Sequence, residues 1–140
     1  MMTGMSTHLC AIIAEDNSLL RGVVVDYLAT FGIATIEATT AHDILHWLEQ
    51  DQADVLVLDL VLKGSRTMLP LVEALKKDSD LQNIPIIITT AFHLNHLEKT
   101  EQAEALAQCH ILPKPYDLCQ LRRAIVGAAG SARRHVRNVV

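Results

Sequence analysis

Short, continuous apolar runs alternate with longer segments of helical period along this chain. Three runs stand out, at residues 9–14, 55–58 and 84–88, and polar residues bound each of them. Runs of this length are typical of strands that are buried on both faces, as in a parallel sheet. Weaker candidates at 33–38 and 109–112 bring the number of predicted strands to five.

The intervening segments show the apolar periodicity of amphipathic helices. In the first, residues at three- and four-residue intervals form one apolar face, made by Leu20, Val23, Val24, Tyr27, Leu28 and Phe31. Thr40 is a suitable N-cap for the second helix, and Pro70 fits the first position of the third. Fourth and fifth helices are predicted at 93–107 and 117–128.

Five strands that alternate with five helices predict an α/β domain with right-handed crossovers and a parallel sheet. We assign it to residues 9–129, with a disordered leader at 1–8 and a basic tail at 130–140. A chain of 140 residues suits one such domain and leaves no room for an output domain. No apolar stretch is long enough to span a bilayer, and the leader lacks the features of a signal peptide, so we expect a cytoplasmic protein without membrane contacts.

Charge and cysteine usage narrow the class of protein. The net charge of −4 at pH 7 argues against direct nucleic-acid binding by the chain as a whole. Near the carboxyl end there is an arginine cluster: Arg122, Arg123, Arg133, Arg134 and Arg137. A solvated helix terminus is its simplest interpretation, and a partner-binding tail is the alternative. Cys10, Cys109 and Cys119 lack the spacing of a metal site and are expected to be reduced, buried thiols.

Chemically useful side chains follow the predicted strands. Glu15 and Asp16 come directly after the first run, and Asp59 comes directly after the third. Thr90 lies just beyond the fourth run, and Lys114 just beyond the fifth. The carboxyl ends of parallel strands meet at one edge of the sheet, where ligands of open α/β sheets bind. We therefore expect these side chains to converge, although they are far apart in sequence.

Three converging carboxylates would repel one another unless a cation neutralised them. Mg²⁺ prefers oxygen ligands and usually combines one or two carboxylates with waters and a phosphate. Lys114 supplies a point charge for a phosphate oxygen, and Thr90 supplies a hydroxyl donor. A carboxylate can be the nucleophile in phosphoryl transfer, and Asp59, which ends the central strand, is the best candidate. The cluster thus predicts a magnesium site that is open to a phosphoryl donor.

Four motifs, taken together and in this order, resemble the receiver domains of bacterial two-component response regulators. They are Ile-Ile-Ala-Glu-Asp-Asn at 12–17, Val-Leu-Val-Leu-Asp at 55–59, Ile-Ile-Ile-Thr-Thr-Ala at 86–91 and Lys-Pro-Tyr at 114–116. The resemblance covers nearly the whole chain. It implies a doubly wound, flavodoxin-like sheet of five parallel strands in the order 2-1-3-4-5, flanked by five helices.

The resemblance also implies a role for each acidic residue. Asp59 would accept a phosphoryl group from a histidine kinase or phosphotransfer protein. Asp16 would bind Mg²⁺ directly, and Glu15 would act mainly through water. Asp59 and the backbone carbonyl of Val61 would complete the protein ligands of the metal.

Further expectations concern the phosphorylated state. Thr90 and Lys114 would contact the phosphoryl oxygens, and the Lys114–Pro115 peptide bond would be cis. Phosphorylation would change a surface around the fourth helix, last strand and fifth helix, and this surface would act on a separate downstream protein. Receiver domains also often form homodimers. On this interpretation the protein is a stand-alone phosphoacceptor switch and not an enzyme.

The chain departs from the family pattern at several positions, of which Ile111 bears most on the response. Ile111 stands where the family usually carries an aromatic residue that turns inward on activation, so the response is expected to use the loop and fourth helix instead. Val61 and Phe92 occupy the two positions that tune the loss of phosphate, and both are apolar here. Neither can orient a water molecule, so slow self-dephosphorylation is expected.

Other functions compatible with this fold class differ in the residues that they require. The main alternative is a non-phosphorylated pseudo-receiver that acts as a protein-interaction module, and Ile111 favours it. A flavodoxin-like electron carrier would need a phosphate cradle after the first strand, where Glu15 and Asp16 would repel phosphate. A phosphatase resembling the haloacid dehalogenases would carry a DxD motif after its first strand, which is absent here. Two histidine pairs, 42/46 and 93/96, have zinc-like spacing but no third ligand, so solvated helix faces are the simpler interpretation.

Overall fold

A computed structural model describes residues 8–62, 66–91 and 101–139 of the chain. Its elements follow in the order β1 (Cys10–Ala14), α1 (Ser18–Ala29), β2 (Ala34–Ala38), α2 (Ala41–Glu49), β3 (Val55–Asp59), β4 (Val61–Leu62), β5 (Arg66–Thr67), α3 (Leu69–Lys77), β6 (Ile86–Thr90), α4 (Glu101–Ala107), β7 (His110–Pro113) and α5 (Leu118–Val139). The predicted start of the fourth helix, Phe92, the pair His93 and His96, and most of the leader lie outside the described residues.

The main sheet has five parallel strands in the order β2-β1-β3-β6-β7. When these five strands are numbered along the chain, the order is 2-1-3-4-5, which confirms the predicted fold class. A second, two-stranded antiparallel sheet joins β4 to β5 directly after the central strand. This small hairpin was not predicted, because two-residue strands are too short to show a period.

Two apolar layers sandwich the main sheet. Leu56 and Leu58 of β3 pack with the buried residues of α2, α3 and α4. Val55 and Val57 of the same strand pack with those of α1 and α5. Adjacent residues of a strand point to opposite faces, so the continuous apolar run serves both layers at once. Each fully buried leucine or isoleucine contributes about 1.5–3 kcal/mol to folding, and this core fixes the sheet edge that carries the polar residues.

Helix α1 begins immediately beyond that edge. The side-chain oxygen of Asn17 accepts hydrogen bonds from the amides of Leu19 and Leu20, at 3.0 and 3.1 Å. Asn17, and not the neighbouring Asp16, therefore caps this helix. Asp16 is exposed, and its carboxylate is left for another role.

The apolar face predicted for α1 is only partly correct. Val24 and Leu28 are fully buried, whereas Val23 and Phe31 are 52% and 51% exposed. Phe31 lies beyond the last residue of the helix, and it packs under the guanidinium of Arg122, 4.1 Å from its ring centroid. The solvent-exposed surface at α1 therefore includes large apolar side chains.

Three other predictions need correction. The fourth main strand is Ile86–Thr90, two residues later than expected. Helix α5 does not end near residue 128 but continues to Val139, through the segment assigned to a basic tail. The cysteines are free but only partly buried. Within the described residues, no helix is both long and apolar enough to cross a membrane.

Candidate functional site

The register of the sheet aligns the strand ends. Ala14 pairs with Leu58. Glu15, which follows β1, and Asp59, which ends β3, therefore lie at the same level. Asp59 pairs in turn with Thr89 of β6, and Thr90 pairs with Pro113, the residue before Lys114. The polar residues predicted to converge therefore do lie along one edge, at the carboxyl ends of the strands.

Lys114 joins two of the carboxylates. Its Nζ donates to Oε1 of Glu15 at 2.8 Å and to Oδ2 of Asp59 at 3.0 Å. The three side chains are 22%, 6% and 13% exposed, in the order lysine, glutamate, aspartate. Two nearly buried carboxylates thus share one ammonium, across 99 and 55 residues of sequence. This cluster therefore carries an excess of negative charge, which would attract an additional cation.

The backbone holds Lys114 in place. Its amide donates to the carbonyl of Thr90 at 2.7 Å. The peptide bond between Lys114 and Pro115 is cis, as expected. Any displacement of Lys114 is therefore coupled directly to the end of β6.

Burial and charge shift the protonation equilibria of the pair. Burial raises the pKa of Asp59 above the ordinary aspartate value, although the hydrogen bonds and charge of Lys114 partly oppose this. For Lys114, burial alone would lower the pKa. The hydrogen bonds and charges of Glu15 and Asp59 outweigh it, so the pKa of Lys114 is raised. The ammonium therefore stays charged, while the carboxylate of Asp59 is desolvated, as suits a nucleophile.

The backbone that follows Asp59 contacts the second carboxylate oxygen of this residue. The amide of Val61 donates to Oδ1 of Asp59 at 3.1 Å. The amide of Met68 donates to the carbonyl of Leu60 at 2.7 Å, which places residues 60 and 68 opposite each other at a hydrogen-bonded position of the hairpin, although the amide of Leu60 donates to the carbonyl of Thr89. Such pairs alternate along an antiparallel ladder, so the Val61–Thr67 pair is a non-hydrogen-bonded one. The Val61 carbonyl is consequently not used by the ladder and is available as an oxygen ligand.

The acidic turn after β1 is tied down at two points. Oε2 of Glu15 accepts from the amide of Asn17 at 3.1 Å. The carbonyl of Glu15 accepts from Nη1 of Arg21 at 2.8 Å. The role of Arg21 could not be predicted from the sequence, because nothing in its spacing shows that a helical side chain reaches back to the preceding turn.

The oxygen donors of this edge suit Mg²⁺. Oxygens of Glu15 and Asp59 lie within 3.0 Å of the same nitrogen, and the exposed Asp16 adjoins them. In the described part of the chain no group of three histidine, cysteine, aspartate or glutamate side chains is arranged to hold a metal. Mg²⁺ would need only one or two of these carboxylates directly and would keep several waters. The side chains of His42 and His46 are both exposed, as the interpretation of a solvated helix face predicts.

An apolar groove of about 410 Å³ adjoins Lys114. Its lining comes from α1, from the end of β6 and from the loop into α5: Leu20, Val23, Ala91, Lys114, Pro115, Tyr116 and Leu118. Leu19, which precedes the lining residue Leu20 in the sequence, is 81% exposed. Apolar surface is therefore accessible next to the charged residues of the sheet edge.

Comparison with known proteins identifies the family of this fold and site. The family model described as the response regulator receiver domain matches residues 11–126. The heme response regulator HssR of Staphylococcus saprophyticus is 30% identical over 112 residues, which are 80% of this chain and 47% of that protein. The chain therefore spans about half the length of this curated relative.

Solved structures show the same fold at low sequence identity. A sensor protein from Polaromonas is 20% identical, with a TM-score of 0.76 over 90% of this chain and 99% of that one. The receiver domain of a sensor histidine kinase from Pseudomonas aeruginosa is 18% identical, with a TM-score of 0.72 over 89% and 99%. That structure has a magnesium ion coordinated in its active-site cleft. The chain belongs to the response regulator receiver domains, the signalling switches of two-component systems that are generally phosphorylated on an aspartate.

Proposed function

We propose that this domain accepts a phosphoryl group on Asp59 in a Mg²⁺-dependent reaction and thereby changes a partner-binding surface. The observation that carries the proposal is the shared ammonium, since Lys114 Nζ contacts Glu15 at 2.8 Å and Asp59 at 3.0 Å. It brings the nucleophile, an acidic neighbour and a phosphate-binding cation together at one sheet edge.

The metal would be held by oxygens of this edge. Asp16 would bind it directly, Glu15 would act mainly through water, and Asp59 and the Val61 carbonyl would supply the remaining protein oxygens. When bound, Mg²⁺ would neutralise the negative charge on the transferring phosphoryl group. The exposure of Asp16 and the unused carbonyl of Val61 support this ligand set.

In the transfer step, a carboxylate oxygen of Asp59 forms the new bond to phosphorus. The bond between phosphorus and the donor's histidine nitrogen breaks, and the imidazole leaves with the electron pair. Lys114 then contacts a phosphoryl oxygen, and the hydroxyl of Thr90 donates to another. Thr90 is 2% exposed, so its hydroxyl acts from within the fold and not from the surface.

The response would follow from the movement of Lys114. When its ammonium turns toward the phosphoryl group, its contact with Glu15 is weakened. The hydrogen bond from the backbone amide of Lys114 to the carbonyl of Thr90 then transmits the displacement to β6 and β7. Phosphate binds the active arrangement better and shifts the population toward it. Ile111 is partly buried against the core of the α3–α4 side, so the change is expected to use that side of the domain.

The apolar groove beside Lys114 would receive the phosphodonor protein. A histidine must approach Asp59 in line with the transferring group, so the donor has to dock next to this edge. Leu19 and Val23, which are 81% and 52% exposed, flank the approach. The output would act on a separate downstream protein, in the cytoplasm, and the domain could also pass the phosphoryl group onward.

Intact-mass analysis after incubation with acetyl phosphate tests the proposal. One added phosphoryl group is expected with Mg²⁺, and none with a chelator or in the Asp59→Asn variant. Absence of the adduct on folded wild-type protein would refute the proposal. It would favour the non-phosphorylated interaction module, for which the replacement of an aromatic residue by Ile111 is the supporting observation.

A further inference from the structure

Arg21 encloses the acidic turn from the side of helix α1. Its backbone amide donates to the carbonyl of Asn17 at 2.9 Å, and its Nη1 donates to the carbonyl of Glu15 at 2.8 Å. Its side chain is only 19% exposed. A planar guanidinium offers several donors in fixed directions, so a bond of this length orients its acceptor firmly.

The carbonyl that Arg21 holds belongs to the peptide plane between Glu15 and Asp16. Fixing this plane fixes the backbone from which the Asp16 side chain projects. The Asp16 carboxylate is exposed and has no hydrogen-bond partner among the described residues. Its direction therefore depends on the backbone, which Arg21 holds together with the contact between Glu15 and the Asn17 amide.

A guanidinium close to a cation site would ordinarily repel the cation. Here Nε of Arg21 also donates to Oε1 of Glu37 in β2, at 2.8 Å. The carboxylate of Glu37 offsets the charge of Arg21, so the arginine can hold the turn at a smaller electrostatic cost to the metal. The same bond anchors the arginine to the neighbouring strand.

We propose that Arg21, anchored by Glu37, is a positioning residue that presents Asp16 to Mg²⁺. This inference rests on the proposed function of the site. Glu37 of β2 holds Arg21 of α1, and Arg21 holds the turn after β1. These contacts together would set the affinity for Mg²⁺. Residues that orient metal ligands from outside typically change metal affinity by 10–100-fold when they are removed.

Mg²⁺ titration calorimetry on the unphosphorylated protein tests the proposal, together with phosphorylation rates measured across Mg²⁺ concentrations. Arg21→Met keeps the aliphatic stem and removes both donors. We expect its Mg²⁺ dissociation constant to rise about tenfold, while the phosphorylation rate at saturating Mg²⁺ stays within twofold of wild type. Arg21→Lys should not restore the affinity, because one ammonium cannot reproduce the guanidinium fork that holds Glu15 and Glu37 together.

Glu37 provides a second arm of the experiment. Glu37→Gln should weaken Mg²⁺ binding less than Arg21→Met does, and the double variant should bind no more weakly than Arg21→Met alone, because Glu37 acts through Arg21. The matched control is Lys77→Met, which breaks the exposed pair of Lys77 and Glu73 at 3.1 Å and should leave the Mg²⁺ dissociation constant unchanged.

The outcomes separate this inference from the function on which it rests. If wild type binds Mg²⁺ and is phosphorylated, but Arg21→Met binds Mg²⁺ with unchanged or higher affinity, the positioning role is overturned and the proposed function stands. A lower melting temperature with an unchanged dissociation constant would reduce Arg21 to a structural contact and would also overturn it. If wild type neither binds Mg²⁺ nor is phosphorylated, both proposals fail.

Discussion

Replacement of Lys114 by methionine is expected to destabilise the domain far more than replacement of Asp59 by asparagine. In the wild type one ammonium serves two carboxylates, at 2.8 and 3.0 Å. Lys114→Met leaves Glu15 and Asp59, which are 6% and 13% exposed, facing each other without a counter-ion. Removal of one partner from a buried ion pair costs about 3–5 kcal/mol. Since Lys114 is itself 22% exposed, and water can therefore screen the site, we expect the lower end, about 3 kcal/mol.

Asp59→Asn should behave in the opposite way. It leaves the bond between Lys114 and Glu15 intact and removes a charge that burial disfavours. Burial raises the folded-state pKa of Asp59 above its unfolded value, so protonation of this carboxyl favours folding. That contribution is present at acid pH and is lost as the pH rises through the folded-state pKa. Relative to wild type, the asparagine variant should therefore gain stability at pH 7, and the gain should shrink as the pH falls through the raised folded-state pKa and vanish below the unfolded-state value of about 3.9.

Urea denaturation at pH 7 without Mg²⁺ measures both effects, with Trp47, the single tryptophan, as the fluorescence probe. For a domain of this size, 3 kcal/mol corresponds to a fall in melting temperature of about 9 °C. Added Mg²⁺ should recover part of the loss in Lys114→Met, because a ligand of the native state stabilises it. A loss below about 1 kcal/mol for Lys114→Met, or a larger loss for Asp59→Asn, would refute the shared-ammonium account.

Three further predictions concern single side chains. Thr90→Val should impair the response to phosphorylation, measured by nuclear magnetic resonance shifts of the beryllofluoride complex, while Thr89→Val should leave it largely intact; the reverse result would reassign the hydroxyl. Val61→Asn should shorten the lifetime of the phosphoryl group severalfold by orienting a water, as measured by the decay of the mass adduct, and an unchanged lifetime would exclude this control by Val61. Because burial raises the pKa of the Cys109 thiol, iodoacetamide should alkylate it more slowly than a free cysteine at pH 8; mass spectrometry would show equal rates if the prediction were wrong.

Much of the fold was predictable because buried parallel strands leave continuous apolar runs. The errors have local causes. The fourth main strand begins after Pro85, which has no amide hydrogen for the ladder, and it extends over two threonines that are buried although polar. Helix α5 continues to Val139 because residues 128–139 contain no proline, and alanine and arginine favour helix.

The site was predictable only to the level of residue positions. The rule that parallel strand ends share one edge correctly brought Glu15, Asp59 and Lys114 together. It did not reveal that the ammonium contacts both carboxylates, nor that Arg21 holds the turn, because these contacts depend on side-chain reach. Long flexible side chains leave no periodic signal in a sequence, so such contacts have to be read from the structure.

The account depends most directly on Asp59 as the phosphoacceptor. Borohydride reduction converts an aspartyl phosphate to homoserine, which tandem mass spectrometry can locate in a proteolytic digest. After incubation with acetyl phosphate and Mg²⁺, we predict homoserine at position 59 and nowhere else, with none when Mg²⁺ is chelated. Unmodified Asp59 in the folded protein, or homoserine at another carboxylate, would contradict the account.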